Sequence, residues 1–167
     1  KIYSFGGQLL ITKYTHSNSF ENSSFLMTDT LLKVLETEDY VNNFQSFAFK
    51  AGLLKTEEEV QGVVFKGVDH QFDTAFFSSN VVRGRFPIFQ ADGYTVEVLL
   101  STKIASILRL DLEDEVLVYF VQNPPRYRKL LVTGIYETGL EDFDDRFIIG
   151  DLNLVRRLND WESNQVG

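Results

Sequence analysis

Apolar side chains along this chain change their spacing several times, and each change predicts an element. Gln8-Leu9-Leu10-Ile11-Thr12-Lys13-Tyr14 is a run of high β propensity, followed by a polar loop rich in Ser and Asn from Thr15 to Ser24. From Thr28 or Asp29 as a cap, Leu31, Leu32 and Leu35 recur at helical spacing before Glu36, Glu38 and the polar exit at Asp39. Phe47 and Phe49 alternate with small or polar neighbours, and Val60 to Gly67 forms a further β run beyond the acidic turn Thr56-Glu57-Glu58-Glu59. The first half therefore reads strand, helix, strand, strand, part of an α+β layer that needs further elements to cover its sheet.

Gly and Pro in Arg83-Gly84-Arg85-Phe86-Pro87 punctuate the start of a second segment. Its strand, Val96 to Leu100, runs into Ser101-Thr102, which caps a helix bearing Ile104, Ala105, Ile107 and Leu108. Val116 to Val121 and Leu130 to Tyr136 read as a hairpin joined by the loop Gln122 to Arg128. An acidic loop from Glu137 to Asp145 precedes a short strand, Arg146 to Ile149, and Asp151 caps a last helix carrying Leu152, Leu154, Val155 and Leu158.

At 167 residues, 44% of them apolar, the chain can bury one substantial core as one domain or two small subdomains. Fifteen Phe and seven Tyr against a single Met and a single Trp predict a core built largely on phenylalanine. The formal charge of −8 has the wrong sign for a protein that releases counterions from phosphates, which excludes nucleic acid as a natural partner. Without cysteine there are no disulfides and no thiolate metal sites, a usage compatible with a reducing cytosol or with a periplasm. No apolar run approaches the roughly 18–20 residues of a membrane-spanning helix. Lys1 stands where an initiating Met would, and the abrupt ends read as an excised piece of something longer.

Candidate chemistry is sparse. His16 and His70 lie far apart, without metal-ligand spacing, and read as surface or loop residues. The acids Glu137, Glu141, Asp142, Asp144 and Asp145 lack calcium-loop spacing and read as a solvated turn. Neither a phosphate-binding glycine loop nor a Gly-x-Ser-x-Gly elbow occurs, so the chain is not expected to be an enzyme, and no cofactor, metal or catalytic residue is assigned. The sequence assigns partner binding instead to the loop Asn123, Pro124, Pro125, Arg126 and Tyr127, where two prolines stiffen a hairpin tip and hold out an Arg and a Tyr. A plain rigid turn is the alternative.

Lys66-Gly67-Val68-Asp69 with Phe72, Phe76 and Phe77, followed by Val82-Arg83-Gly84-Arg85-Phe86, resembles the MacB-like periplasmic core domain of FtsX-type ABC-transporter permeases, of the lipoprotein-releasing or MacB type. Further matches follow in order. Glu97 to Ser101 with Ile104, Ala105 and Leu108 looks like the family's strand-to-helix segment. Leu110-Asp111-Leu112-Glu113-Asp114 stands at its Leu-x-x-Gly-Asp turn, Val132-Thr133-Gly134-Ile135-Tyr136 at its Val-x-Gly-Ile-Tyr strand, and Phe147 to Ile149 with Leu154 and Leu158 at its closing strand and helix. Glu113 replaces the family's glycine. The hairpin loop is also too short to be the long hook with which the lipoprotein-releasing permease recruits a chaperone.

The resemblance implies an α+β domain on the periplasmic face of the inner membrane, with residues 1–78 as the first half of a porter-like subdomain and 79–167 as an inserted β-rich, Sabre-like subdomain. It implies a role in relaying the motion of a separate cytoplasmic ATPase, so that a lipoprotein or other amphiphile is released or exported. The implied partners are transmembrane helices of the same permease, a lipoprotein, its carrier or an adaptor, and a second copy against an exposed sheet surface or edge. A MacB-like efflux role with an adaptor, or recruitment of a cell-wall hydrolase, stays open.

Overall fold

The computed structural model describes residues 9–14, 21 and 23–167. Their elements are β1 (Phe25–Leu26), α1 (Asp29–Thr37), β2 (Phe47–Lys55), β3 (Val60–Val68), α2 (Thr74–Ser78), β4 (Val81–Gly84), β5 (Glu97–Ser101) and α3 (Thr102–Leu108). These are followed by β6 (Glu115–Phe120), β7 (Arg126–Tyr136), α4 (Glu141–Asp144), β8 (Phe147–Asp151), α5 (Leu152–Asn159) and β9 (Gln165–Val166). The predicted caps all form. Thr28 Oγ1 accepts from the Leu31 amide, Ser101 Oγ from Ile104, and an Asp151 carboxylate oxygen from Asn153.

Residues 9–14 depart from the sequence reading. They form no strand, and Leu9, Leu10, Ile11 and Tyr14 are exposed. Strand propensity is realised only against a neighbouring ladder, and no described strand pairs with this run. Gln8 and most of the predicted loop from Thr15 to Ser24 lie outside the described residues.

Seven strands stand in the order β4-β7-β5-β8-β3-β2-β6, and β6 also pairs with β7. That extra pairing closes six of them into a hydrogen-bonded circuit and leaves β4 as the outlying strand. The junction of residues 78 and 79 falls at the end of α2, and strands from both sides of that point are neighbours: β3 runs parallel to β8, and β2 antiparallel to β6.

Alternate residues of every strand in the circuit point into one core. Leu54, Phe65, Leu100, Val118, Val132 and Ile148 meet there with Ile104 and Leu108 of α3 and Leu152, Val155 and Leu158 of α5. Deep burial of such a side chain contributes about 1.5–3 kcal/mol. This core is mostly aliphatic; phenylalanine concentrates in a second cluster on the opposite side of the sheet, where Phe72, Phe77 and Phe147 are buried and Phe47, Phe49, Phe86, Phe89 and Phe143 pack against the cluster. The Phe86 ring stacks on Phe72 at 5.8 Å, and Phe77 meets Tyr136 edge-on at 5.3 Å.

The segment from Arg85 to Thr95 straps this second cluster down. A bidentate pair joins Arg85 to Glu97, the Ile88 amide donates to Glu97 at 2.9 Å, the Thr95 amide donates to Asp151 at 2.8 Å, and Asn153 Nδ2 donates to the Gly93 carbonyl at 2.9 Å. Gly134 is required where the strap begins, because a Cβ there would collide with the Arg85 carbonyl oxygen and with Leu99. Glu113, standing where the related turn has glycine, keeps the left-handed backbone at φ +67°, and its amide donates to the Val132 carbonyl at 2.8 Å.

Candidate functional site

The hairpin loop is shorter than its sequence suggests. The β6–β7 ladder continues to Phe120 opposite Arg126, so Arg126 and Tyr127 are strand residues and only 121–125 turn the chain. The ladder extends this far because both side chains are held from either side. On one side of β7 the Arg126 guanidinium reaches the C-terminal end of α5, donating to the carbonyls of Arg157 and Leu158 at 3.0 Å and pairing with Asp160 at 2.8 Å. It thereby satisfies helix-end carbonyls that have no partner within the helix and opposes the negative end of the dipole. Its hydrogen bond holds the Asp160 carboxyl below the usual carboxylate range. On the other side, the Tyr127 ring lies 6.1 Å from Tyr119 and is 64% exposed.

The five predicted contact residues are therefore divided between two faces. Asn123, Pro124 and Arg126 line a cleft of about 550 Å³, together with Glu21, Asp160 and Trp161, whereas Pro125 and Tyr127 do not line it. Gln122 Nε2 donates to the Leu158 carbonyl at 3.2 Å, and its Oε1 is a buried acceptor with no hydrogen-bond partner among the described residues. The cleft offers prolyl and indole surface beside the Glu21 and Asp160 carboxylates and amide groups, a lining that suits contact with a polypeptide loop or strand.

Other candidates become structural. Asp144, expected in a solvated turn, is buried and accepts from the Thr138 amide, the Thr138 hydroxyl and the Gly139 amide. A carboxylate can be buried only with such donors, so it organises the turn that the other acids leave solvated. Among the described residues no cluster of His, Asp and Glu has the arrangement of a metal site. His70 is exposed in the turn after β3, and His16 lies outside the described residues. Sequence reasoning passed over Lys66, buried beside the Phe47 and Phe72 rings at 5.6 and 5.9 Å, where desolvation pushes its pKa down to about 8. It also passed over Tyr119, although apolar residues at both parities of Glu115-Val116-Leu117-Val118-Tyr119-Phe120 mark a strand with two apolar sides.

No family model and no curated protein matches the chain by sequence. Solved structures do match by shape. The extracellular domain of the noncanonic ABC-type transporter YknZ from Gram-positive bacteria superposes with a TM-score of 0.56 at 17% identity, over 86% of this chain and 73% of that one. This chain has the fold of a MacB-like periplasmic domain. The periplasmic region of MacB from Actinobacillus actinomycetemcomitans also matches, with a TM-score of 0.54 at 14% identity, over 81% of this chain and 59% of that one. The mixed α+β architecture is thus the one the motifs from Lys66 to Leu158 imply. At these identities the likeness is one of fold, and the residues of the cleft are this chain's own. No helix among the described residues is long and apolar enough to cross a membrane.

Proposed function

We propose that this chain is the extracytoplasmic domain of an ABC-transporter permease, carrying out no bond chemistry itself and relaying the motion of a separate cytoplasmic ATPase to a lipoprotein or other amphiphile at the membrane. The observation that carries this reading is the meeting of distant chain segments. β1 pairs with β9, the Met27 amide donates to the Asn164 carbonyl at 2.8 Å, and Gln165 Nε2 donates to Ser24 at 3.2 Å. Residues 24–27 therefore lie beside residues 164–166, so that segments far apart in the chain are joined at one place, as suits a domain carried between two membrane helices.

The closed strand circuit and the pinned strap resist internal deformation, so a displacement at the paired segments is passed on as a rigid-body movement. In this reading residues 1–78 form the first half of a porter-like subdomain and residues 79–167 the Sabre-like one, and the Asn123–Arg126 cleft is where cargo, its carrier or an adaptor makes contact. Depletion of the parent permease tests the cargo assignment: lipoproteins or another amphiphile are expected to accumulate in the inner membrane, and unchanged sorting and export would refute it.

A further inference from the structure

On the outer side of the β3-β2-β6-β7 wall, away from the loop cleft, exposed apolar side chains form a row. Leu53 stands opposite Tyr119 across β2 and β6, and Tyr119 opposite Tyr127 across β6 and β7, the three being 43%, 37% and 64% exposed. Val60 and Val121, also exposed, extend the apolar surface. The row leads into a groove of about 680 Å³ between the Thr56–Glu59 turn and the end of α3, where Leu110 and Leu117 are among the lining residues. Isolated exposed apolar residues are ordinary, but contiguous ones with aromatic anchors characterise protein contacts.

The charges around the groove select the occupant. Glu57, Glu58, Glu59, Asp114 and Glu115 line it against Lys55, Arg109 and Lys129. Arg109 is engaged by Glu58 and Lys129 by Glu115, whereas the side chains of Glu57 and Glu59 make no ion pair or hydrogen bond among the described residues. With Lys55 counted, the rim remains net acidic on a chain of charge −8. An anionic lipid surface would be repelled, and a second copy would bring the same acidic rim to an isologous contact.

We propose that this face docks a basic amphipathic segment of a partner protein, with its apolar side on Leu53, Tyr119 and Tyr127 and its Lys or Arg side chains at Glu57 and Glu59. The proposal is independent of the loop cleft, since Arg126 points to the other side of β7.

The probe is a fluorescent amphipathic peptide of Leu and Lys, roughly 14 residues or about four helical turns long, titrated with the 167-residue chain. A peptide with Glu in place of each Lys and vesicles of phosphatidylcholine with phosphatidylglycerol are run beside it. The Lys peptide is expected to bind. Tyr119→Ser with Tyr127→Ser should weaken it about tenfold, and Glu57→Lys with Glu59→Lys about fivefold with a flatter salt dependence. Arg126→Ala should leave this affinity unchanged, which separates the outcome from any failure of the cleft. The glutamate pair lies in an exposed turn, so its reversal tests the proposal even where the tyrosine variant folds poorly. Equal binding of the Glu peptide, an affinity indifferent to the glutamate pair, tyrosine-dependent vesicle binding or tyrosine-dependent self-association would each overturn it.

Discussion

Replacing Glu113 by glycine should stabilise this protein, although glycine usually weakens a fold. Glu113 holds φ at +67° in the turn from Asp111 to Asp114, and that turn is fixed from outside by the Glu113 amide donating to Val132 and the Val132 amide donating to Asp114. A left-handed backbone costs an L-residue about 1–2 kcal/mol. Glycine avoids that cost but loses about 0.5–1 kcal/mol more conformational entropy on folding. The difference leaves a gain of up to about 1.5 kcal/mol, centred on about 0.75 kcal/mol, or roughly 1.5–3 °C in the melting midpoint of a chain of this size at that central value. Urea unfolding at constant slope resolves such a change. Glu113→Ala retains the left-handed strain and should give no comparable gain; Glu113→Gln removes the charge beside Asp111 and Asp114 and isolates any relief of repulsion. If glycine destabilises, or if alanine and glycine stabilise equally, the backbone argument is wrong.

Three further changes probe the rest of the structure. Asp144→Ala strips acceptors from the Thr138 hydroxyl and the Thr138 and Gly139 amides in a buried turn, and should lower stability by about 2–4 kcal/mol in a denaturant titration. Lys66 has a folded pKa of about 8, below its ordinary 10.5, so the unfolded chain binds more protons between those values. Stability should therefore rise with pH across that window, and Lys66→Met should flatten the rise; urea midpoints of both proteins at pH 7 and pH 10 check this. Arg126→Ala leaves the helix-end carbonyls of Arg157 and Leu158 without their guanidinium donor and should lower stability by about 1–2 kcal/mol, with faster amide exchange confined to the end of α5.

Local chemistry made much of this fold legible in the sequence. Thr28, Ser101 and Asp151 cap helices because each places a side-chain oxygen before a periodic apolar run, and that signal depends on only a few neighbouring residues. What depends on distant partners was less legible. Leu9 to Tyr14 has strand propensity but no ladder to join, and the closing contact of β6 with both β2 and β7 is a property of the whole sheet. Phenylalanine was expected to fill the core generally; its concentration on one side follows from the strap, which brings Phe86 and Phe89 onto Phe72 and Phe77.

For the site, the Asn-Pro-Pro punctuation located the turn but gave no direction to the residues after it. Alternation along β7 sends Arg126 to the end of α5 and Tyr127 to the outer wall, and only the far ends of those contacts, Asp160 and Tyr119, reveal the division. Asp144 was indistinguishable by sequence from its solvated neighbours, because the donors that hold it are made available by the folded turn.

The relay itself is tested most directly in the intact parent permease in its native envelope, with a photoreactive side chain at Asn123 and cross-linking compared between the nucleotide-free, ATP-bound and hydrolysis-arrested states. The account predicts capture of a lipoprotein, its carrier or another amphiphile, at a yield that changes with nucleotide state. An identical cross-linking pattern in all three states would contradict it.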